Sequence, residues 1–294
     1  MTNQLKTILL LGVLSALLVA IGGVIGGPTL YVFLALAVAL NVGGYFYSDT
    51  IVLRVSRARV LDRSEAPALF AMVQELTDRA DLPMPRLAIV PDATPNAFAT
   101  GRNPEHAVVA VTEGLLQLTD PRELRSVLAH ELAHVKHRDT LVATVAAAGA
   151  TAITYVATML QWSAIFGGIS SDDDDGGGLG GLLLAFLAPI GATLVQAGIS
   201  RSREYLADEY AAELTRDPES LASALHKLQT QGQRLAQRGA AAPQPITQSL
   251  SIVNPLSSLR TRGTNLYALF STHPPIEDRI ARLLAMARRM PRSA

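Results

Sequence analysis

Charged residues vanish from three stretches of this chain: between Lys6 and Asp49, between Asp139 and Asp172, and between Asp175 and Arg201. A bilayer-spanning helix needs about 20 apolar residues. The first stretch is about twice that length and is interrupted by Gly22-Gly23, Gly26-Gly27 and Pro28. It therefore predicts two helices joined by a tight turn, near residues 5–25 and 29–47. The other two stretches predict one helix each, near 141–165 and 180–199, rich in the small residues that suit close helix packing in a membrane. Pro189, Gly191 and Gly198 interrupt the last. A cleaved secretory leader is the rival reading of the first segment. Its apolar core is too long, and a second apolar segment follows at once.

The polar blocks carry a different periodicity. Pro67 to Arg79 places Leu69, Met72, Val73, Leu76 and Ala80 on one helical side. Pro83 and Pro85 stop it, and three short strands follow at 86–90, 96–100 and 106–111. Thr112 suits a helix cap over Glu113–Leu118. A longer helix begins at Asp120-Pro121-Arg122-Glu123, with proline and an acid in its first turn. Beyond the fourth apolar stretch, Ser202–Leu214, Pro218–Gln233 and Ile276–Arg289 read as helices. The Pro-, Gln- and Ser-rich run from Gly239 to about Arg262 has no clean period and reads as a long loop, either a lid or simply mobile.

The expected organisation is a transmembrane hairpin (1–48), a first catalytic segment with a small sheet (49–140), a second transmembrane pair with an acidic loop at 167–179 (141–199), and a second catalytic segment (200–294). The fold class is an α-helical membrane protein of four spans carrying a mainly α, small-sheet (α+β) domain.

Composition and charge sharpen this picture. Apolar residues make up 49% and charged residues 17% of the chain, against about 25% charged in soluble domains. Lys6, Arg54, Arg57, Arg59, Arg63, Lys136, Arg138, Arg201 and Arg203 flank the four segments on one side. Asp172–Asp175 lie on the other. Positive charge favours the cytoplasmic side, so both termini and the polar domain are expected there. No cysteine is present, which excludes disulfides, thiolate ligands and a cysteine nucleophile. Net charge is zero and no basic, aromatic-interleaved patch occurs, so nucleic acid is not an expected partner.

The chemistry lies in His130-Glu131-Leu132-Ala133-His134. Residues four apart share a helical face, so both imidazoles can reach one metal ion, with Glu131 placed to take a proton from the attacking water. A catalytic zinc site generally has three protein ligands. His137, one turn nearer the bilayer, is a poor third. Arg203-Glu204-Tyr205-Leu206-Ala207-Asp208 supplies better ones, with Glu204 on zinc and Asp208 steadying an imidazole. Spacing alone does not choose among Glu204, Asp208 and Glu209. His106 and His226 have no partner motif and read as structural or surface residues. A non-catalytic transporter or scaffold is the alternative class, and it lacks the intramembrane ionisable residue that marks a substrate path.

These two motifs, together with Pro95-Asn96-Ala97-Phe98-Ala99 and Ser271-Thr272-His273-Pro274-Pro275, resemble the M48 family of membrane zinc endopeptidases over nearly the whole chain. The resemblance implies a gluzincin-like fold, one Zn2+ per chain held by His130, His134 and Glu204, and Glu131 as general base. It implies cleavage of misfolded or damaged membrane proteins at the cytoplasmic face of a bacterial inner membrane, in protein quality control under stress. A processing peptidase of narrow specificity is the runner-up. His273, as the resemblance suggests, is the first candidate to stabilise charge on the carbonyl oxygen, with Arg203 or Arg201 in support. Asn96, Ala97, Phe98 and Ala99 are the candidate sheet edge for an extended substrate; an inner strand with Phe98 in the core is the competing reading.

Overall fold

The computed structural model describes residues 27–143, 201–237 and 274–290, with isolated positions between 11 and 23. Helix α1 (Thr29–Phe46) covers the expected second span, and only Tyr47 separates it from α2 (Ser48–Val55). There follow β1 (Arg59–Val60), α3 (Pro67–Ala80), β2 (Arg86–Val90), β3 (Ala97–Thr100), a 3-10 turn (Pro104–His106), β4 (Val108–Thr112), α4 (Glu113–Leu118) and α5 (Pro121–Lys136). The chain resumes with α6 (Arg201–Thr215), α7 (Pro218–Gln237) and α8 (Ile276–Ala287).

Among the described residues no helix is long and apolar enough to cross a membrane. The segments expected as third and fourth spans, the acidic loop, the 239–262 loop and His273 lie outside the described residues. Helix α1 nonetheless turns large apolar side chains outward, including Tyr31, Val32, Leu34, Val38 and Phe46.

The sheet has four strands in the order β1-β2-β4-β3. β2 and β4 run parallel, and the outer strands β1 and β3 are antiparallel to their neighbours. Strand alternation sorts the side chains into two layers. Leu87, Ala97, Ala99, Val109 and Val111 face the main core, built with α3, α5, α6, α7 and α8. Ala88, Val90, Phe98, Val108 and Ala110 face Val52 and Leu53 of α2. Thus α2, which the sequence pattern did not distinguish, closes the second face of the sheet. Strand β1 was likewise not expected.

Helix α5 carries the histidine motif and is fixed at its start by a capping box. Asp120 accepts from the backbone N–H groups of Arg122 and Glu123, and Glu123 accepts from that of Asp120 at 2.9 Å. Removing such a cap costs about 1 kcal/mol. Glu123 also accepts from Ser223 at 2.6 Å and Lys227 at 2.7 Å, which ties α5 to α7. At the far end of α5, His137 caps the helix and Arg138 takes a left-handed φ of 57°.

Candidate metal centre

Helices α5 and α6 pack against each other and bring the two sequence motifs together. Ligand atoms of His130, His134 and Glu204 all lie within 4.8 Å of one another. The two Nε2 atoms are 3.2 Å apart. Glu204 Oε2 is 3.7 Å from His130 Nε2, and its Oε1 is 3.6 Å from His134 Nε2. Tetrahedral zinc with bonds of about 2.0–2.1 Å to nitrogen separates two such ligands by about 3.3 Å, so the spacing suits one ion. Glu209 is exposed and His137 packs edge-on against Tyr210, so neither joins the cluster.

The outer nitrogens support the same reading. Nδ1 of His134 lies 3.3 Å from Oδ2 of Asp139. Nδ1 of His130 lies 3.0 Å from Oδ1 of Asp208, off the line of an ideal hydrogen bond. A carboxylate at Nδ1 favours the proton there, which leaves both Nε2 lone pairs directed at the shared point. Two such lone pairs at hydrogen-bond distance repel unless a cation or a proton sits between them.

Each carboxylate is held by an arginine. Arg203 Nη1 donates to Asp139 Oδ1 at 3.3 Å. Arg279 donates to both oxygens of Asp208, from Nε at 2.7 Å and Nη2 at 2.6 Å, and its Nη1 is 3.2 Å from Glu204 Oε2. Glu131, Asp139, Glu204 and Asp208 are all buried with Arg203 and Arg279. The carboxylates outnumber the guanidiniums, which favours a cation at this point.

Burial, reinforced by the charge of Glu204, pushes the Glu131 carboxyl up to about 7, although His134 and the backbone of Ala99 pull it down. For His134, burial favours the neutral form, but the bond to Asp139 and the charges of Glu204 and Glu131 overcome it and raise the imidazole to about 9. Burial acts against the charge of Asp208 too, yet Arg279 and His130 hold its carboxyl below the usual range.

Strand β3 lies beside this cluster. All four of its residues pair with β4, and the Thr112 N–H donates to the Asn96 carbonyl at 2.9 Å, which puts Phe98 and Thr100 at the hydrogen-bonded positions of the ladder. Antiparallel alternation then turns the backbone groups of Ala97 and Ala99 away from β4, toward the outer side of the sheet. Ala97 and Ala99 are nonetheless buried, and Phe98 belongs to the layer under the sheet. Strand β3 is thus an edge strand and not an inner one, although Phe98 is buried as the competing reading expected.

Sequence reasoning missed Arg279 and Asp139. Arg279 lies on the face of α8 that buries Ile276 and Leu283, so an arginine within an apolar stripe was the available signal. Asp139, five residues after His134, fits no helical face and gave none.

A buried donor set of two imidazoles and a carboxylate, beside a glutamate that binds its proton near neutrality, defines a metallopeptidase of the His-Glu-x-x-His type. Residues 63–287 match peptidase family M48, and the chain belongs to that family. It is 51% identical over 290 residues to a protease HtpX homolog of Syntrophobacter fumaroxidans, covering 97% of this chain and 100% of that one. The protease HtpX homologs of Persephonella marina and Thermococcus kodakarensis are 50% and 49% identical, covering 98% and 97% of this chain and 99% and 97% of their own. The crystal structure of S. mikatae Ste24p has a similar fold, with a TM-score of 0.51 at 19% identity, covering 92% of this chain and 62% of that one.

Proposed function

We propose that this metalloprotease is a zinc-dependent membrane endopeptidase that hydrolyses misfolded or damaged membrane proteins at the cytoplasmic face of a bacterial inner membrane. The observation that carries the metal assignment is the convergence of His130, His134 and Glu204 on one point. When bound there, zinc supplies Lewis acidity, making water a stronger acid and polarising the scissile carbonyl.

The protein's own groups do the rest. Glu131, with a carboxyl near 7, is matched to accept a proton from the attacking water and to return it to the leaving amine nitrogen. Asp208 orients the His130 imidazole, and Arg279 offsets the charge of Glu204 and Asp208. His273 stays the proposed donor to the carbonyl oxygen. A substrate chain in extended form would align along β3, Asn96–Ala99, through main-chain bonds that read backbone rather than sequence. That tolerance suits quality control better than the processing of one fixed site. Apolar outward side chains on α1 and the positive residues flanking the charge-free stretches support the membrane placement.

The test is zinc content and casein cleavage by wild type and Glu131→Gln purified in detergent. One zinc per chain in both, with cleavage by wild type alone, is expected. Undiminished cleavage by Glu131→Gln would overturn the proposed mechanism, and a chain without zinc that still cleaves would overturn the cofactor.

A further inference from the structure

On an uninterrupted helix Asp139 would point about 140° away from His134. It reaches His134 because α5 ends at Lys136 and Arg138 turns the chain through a left-handed conformation, φ 57°. Thr140 then donates to the Gly101 carbonyl at 3.0 Å, pinning the chain just past Asp139 to the end of β3. The resulting contact sets Asp139 Oδ2 at 3.3 Å from His134 Nδ1, while Oδ1 receives Arg203 Nη1 at 3.3 Å, from 64 residues further along the chain. Asp139 and Arg203 are both buried. A buried ion pair is weak evidence of stabilisation, because desolvation offsets most of the attraction. Its placement against the outer nitrogen of a metal-facing imidazole gives it another use.

We infer that Asp139, delivered by the turn at Arg138 and held by Arg203, is the positioning residue of His134. It fixes the ring plane and keeps the proton on Nδ1, so the Nε2 lone pair stays aimed at the metal point. Arg203 keeps the aspartate from turning away. The two motifs are thereby joined three times: through Glu204 on the metal side, through Asp208 at the outer nitrogen of His130, and through Arg203 and Asp139 on the outer side of His134. This inference rests on His134 being a ligand.

The test replaces the ion pair by apolar side chains, Asp139→Leu with Arg203→Met, a change that buried pairs commonly tolerate in stability. Full-length protein in detergent is read by zinc affinity in chelator competition and by the visible spectrum of the cobalt-loaded form. The double variant should bind zinc about 10–100-fold more weakly, with a shifted cobalt band. Asp139→Asn with Arg203→Met restores an acceptor for the Nδ1 proton and should recover part of that loss. Wild-type affinity and an unchanged band in the folded Leu/Met protein would overturn the inference, as would an Asn/Met protein no better than Leu/Met. Should Leu/Met not fold, single Asp139→Asn and Asp139→Ala chains carry the same comparison, and equal affinities overturn it. His134→Ala is the separate control: full zinc retention there removes the ligand assignment itself.

Discussion

Arg279 has no solvent exposure and forks onto both oxygens of Asp208 at 2.6 and 2.7 Å. It stands at the start of α8, yet it is the positive charge nearest to two of the acids at the metal point. Truncating one partner of a buried pair typically costs about 3–5 kcal/mol. Arg279→Ala should therefore lower the melting temperature sharply and release Asp208 from its fixed orientation toward His130. Thermal unfolding followed by circular dichroism, together with metal content, checks both effects. A variant as stable as wild type would show that the pair contributes little.

Glu204 and Glu209 test the donor set within one helix. Glu204 is buried against both imidazoles, whereas Glu209 is exposed. Glu204→Ala should lose stoichiometric zinc, and Glu209→Ala should keep it. The reverse result would move the third ligand.

Glu131→Gln preserves size and removes the carboxylate's charge together with its ability to carry a proton. Loss of a general base typically costs about 10²–10⁴-fold in rate. Cleavage should fall by that order while zinc content is unchanged, since Glu131 is outside the converging triad. A comparable loss of zinc would mean that Glu131 also holds the ion.

Asp217 caps α7, accepting from the Ser220 backbone at 3.2 Å and hydroxyl at 2.6 Å, and it pairs with Arg122 at 2.7 Å. Partial burial opposes its charge, but the Ser220 bonds and Arg122 hold the carboxyl below its ordinary 3.8. A lowered acid stabilises the fold fully above the unfolded value and loses that contribution as pH falls through the folded one. Asp217→Asn should thus be less stable than wild type at neutral pH. The gap should close below pH 3.8, as read by chemical denaturation across pH. A constant gap would mean that charge plays no part in this cap.

Gly101 follows β3 with φ +127°, and a Cβ there would overlap the His106 carbonyl oxygen. Gly101→Ala forces an L side chain into a conformation that costs about 1–3 kcal/mol. Its carbonyl also receives Thr140. The variant should lose stability by that order and loosen the turn beyond α5, detectable as faster amide exchange around Thr140.

The elements most legible in sequence are those with a long, regular period. Helix α3 runs Pro67–Ala80 with Leu69, Val73, Leu76 and Ala80 buried as its spacing indicates, and α5 starts at its proline and capping acids. Strand β1 has two residues, too few for any alternation to register. Helix α2 follows the apolar run of α1 after one residue, so its own short amphipathic pattern was absorbed into the flank of that segment. In the metal centre, His130, Glu131 and His134 announce themselves by spacing on one helix. Choosing Glu204 over its acidic neighbours required the angle between α5 and α6. Of the two arginines that offset the acids, Arg203 was expected near the carbonyl oxygen rather than on Asp139, and Arg279 was hidden for a general reason: charge is expected outside, and pairing partners distant in sequence leave no local trace.

Tyr47 alone joins α1 to α2, so the first helix runs almost directly into the second. Val52 and Leu53 are locked beneath the sheet, Asp49 pairs with Arg86 on β2, and Arg102 reaches over the Phe46 ring with its guanidinium 5.5 Å away. The sheet beside the metal point is therefore tied to the end of α1 by packed contacts rather than by a loose linker. A displacement of α1 would therefore be passed through α2 to the face of the sheet opposite the metal point, so the two cannot shift independently without breaking these contacts.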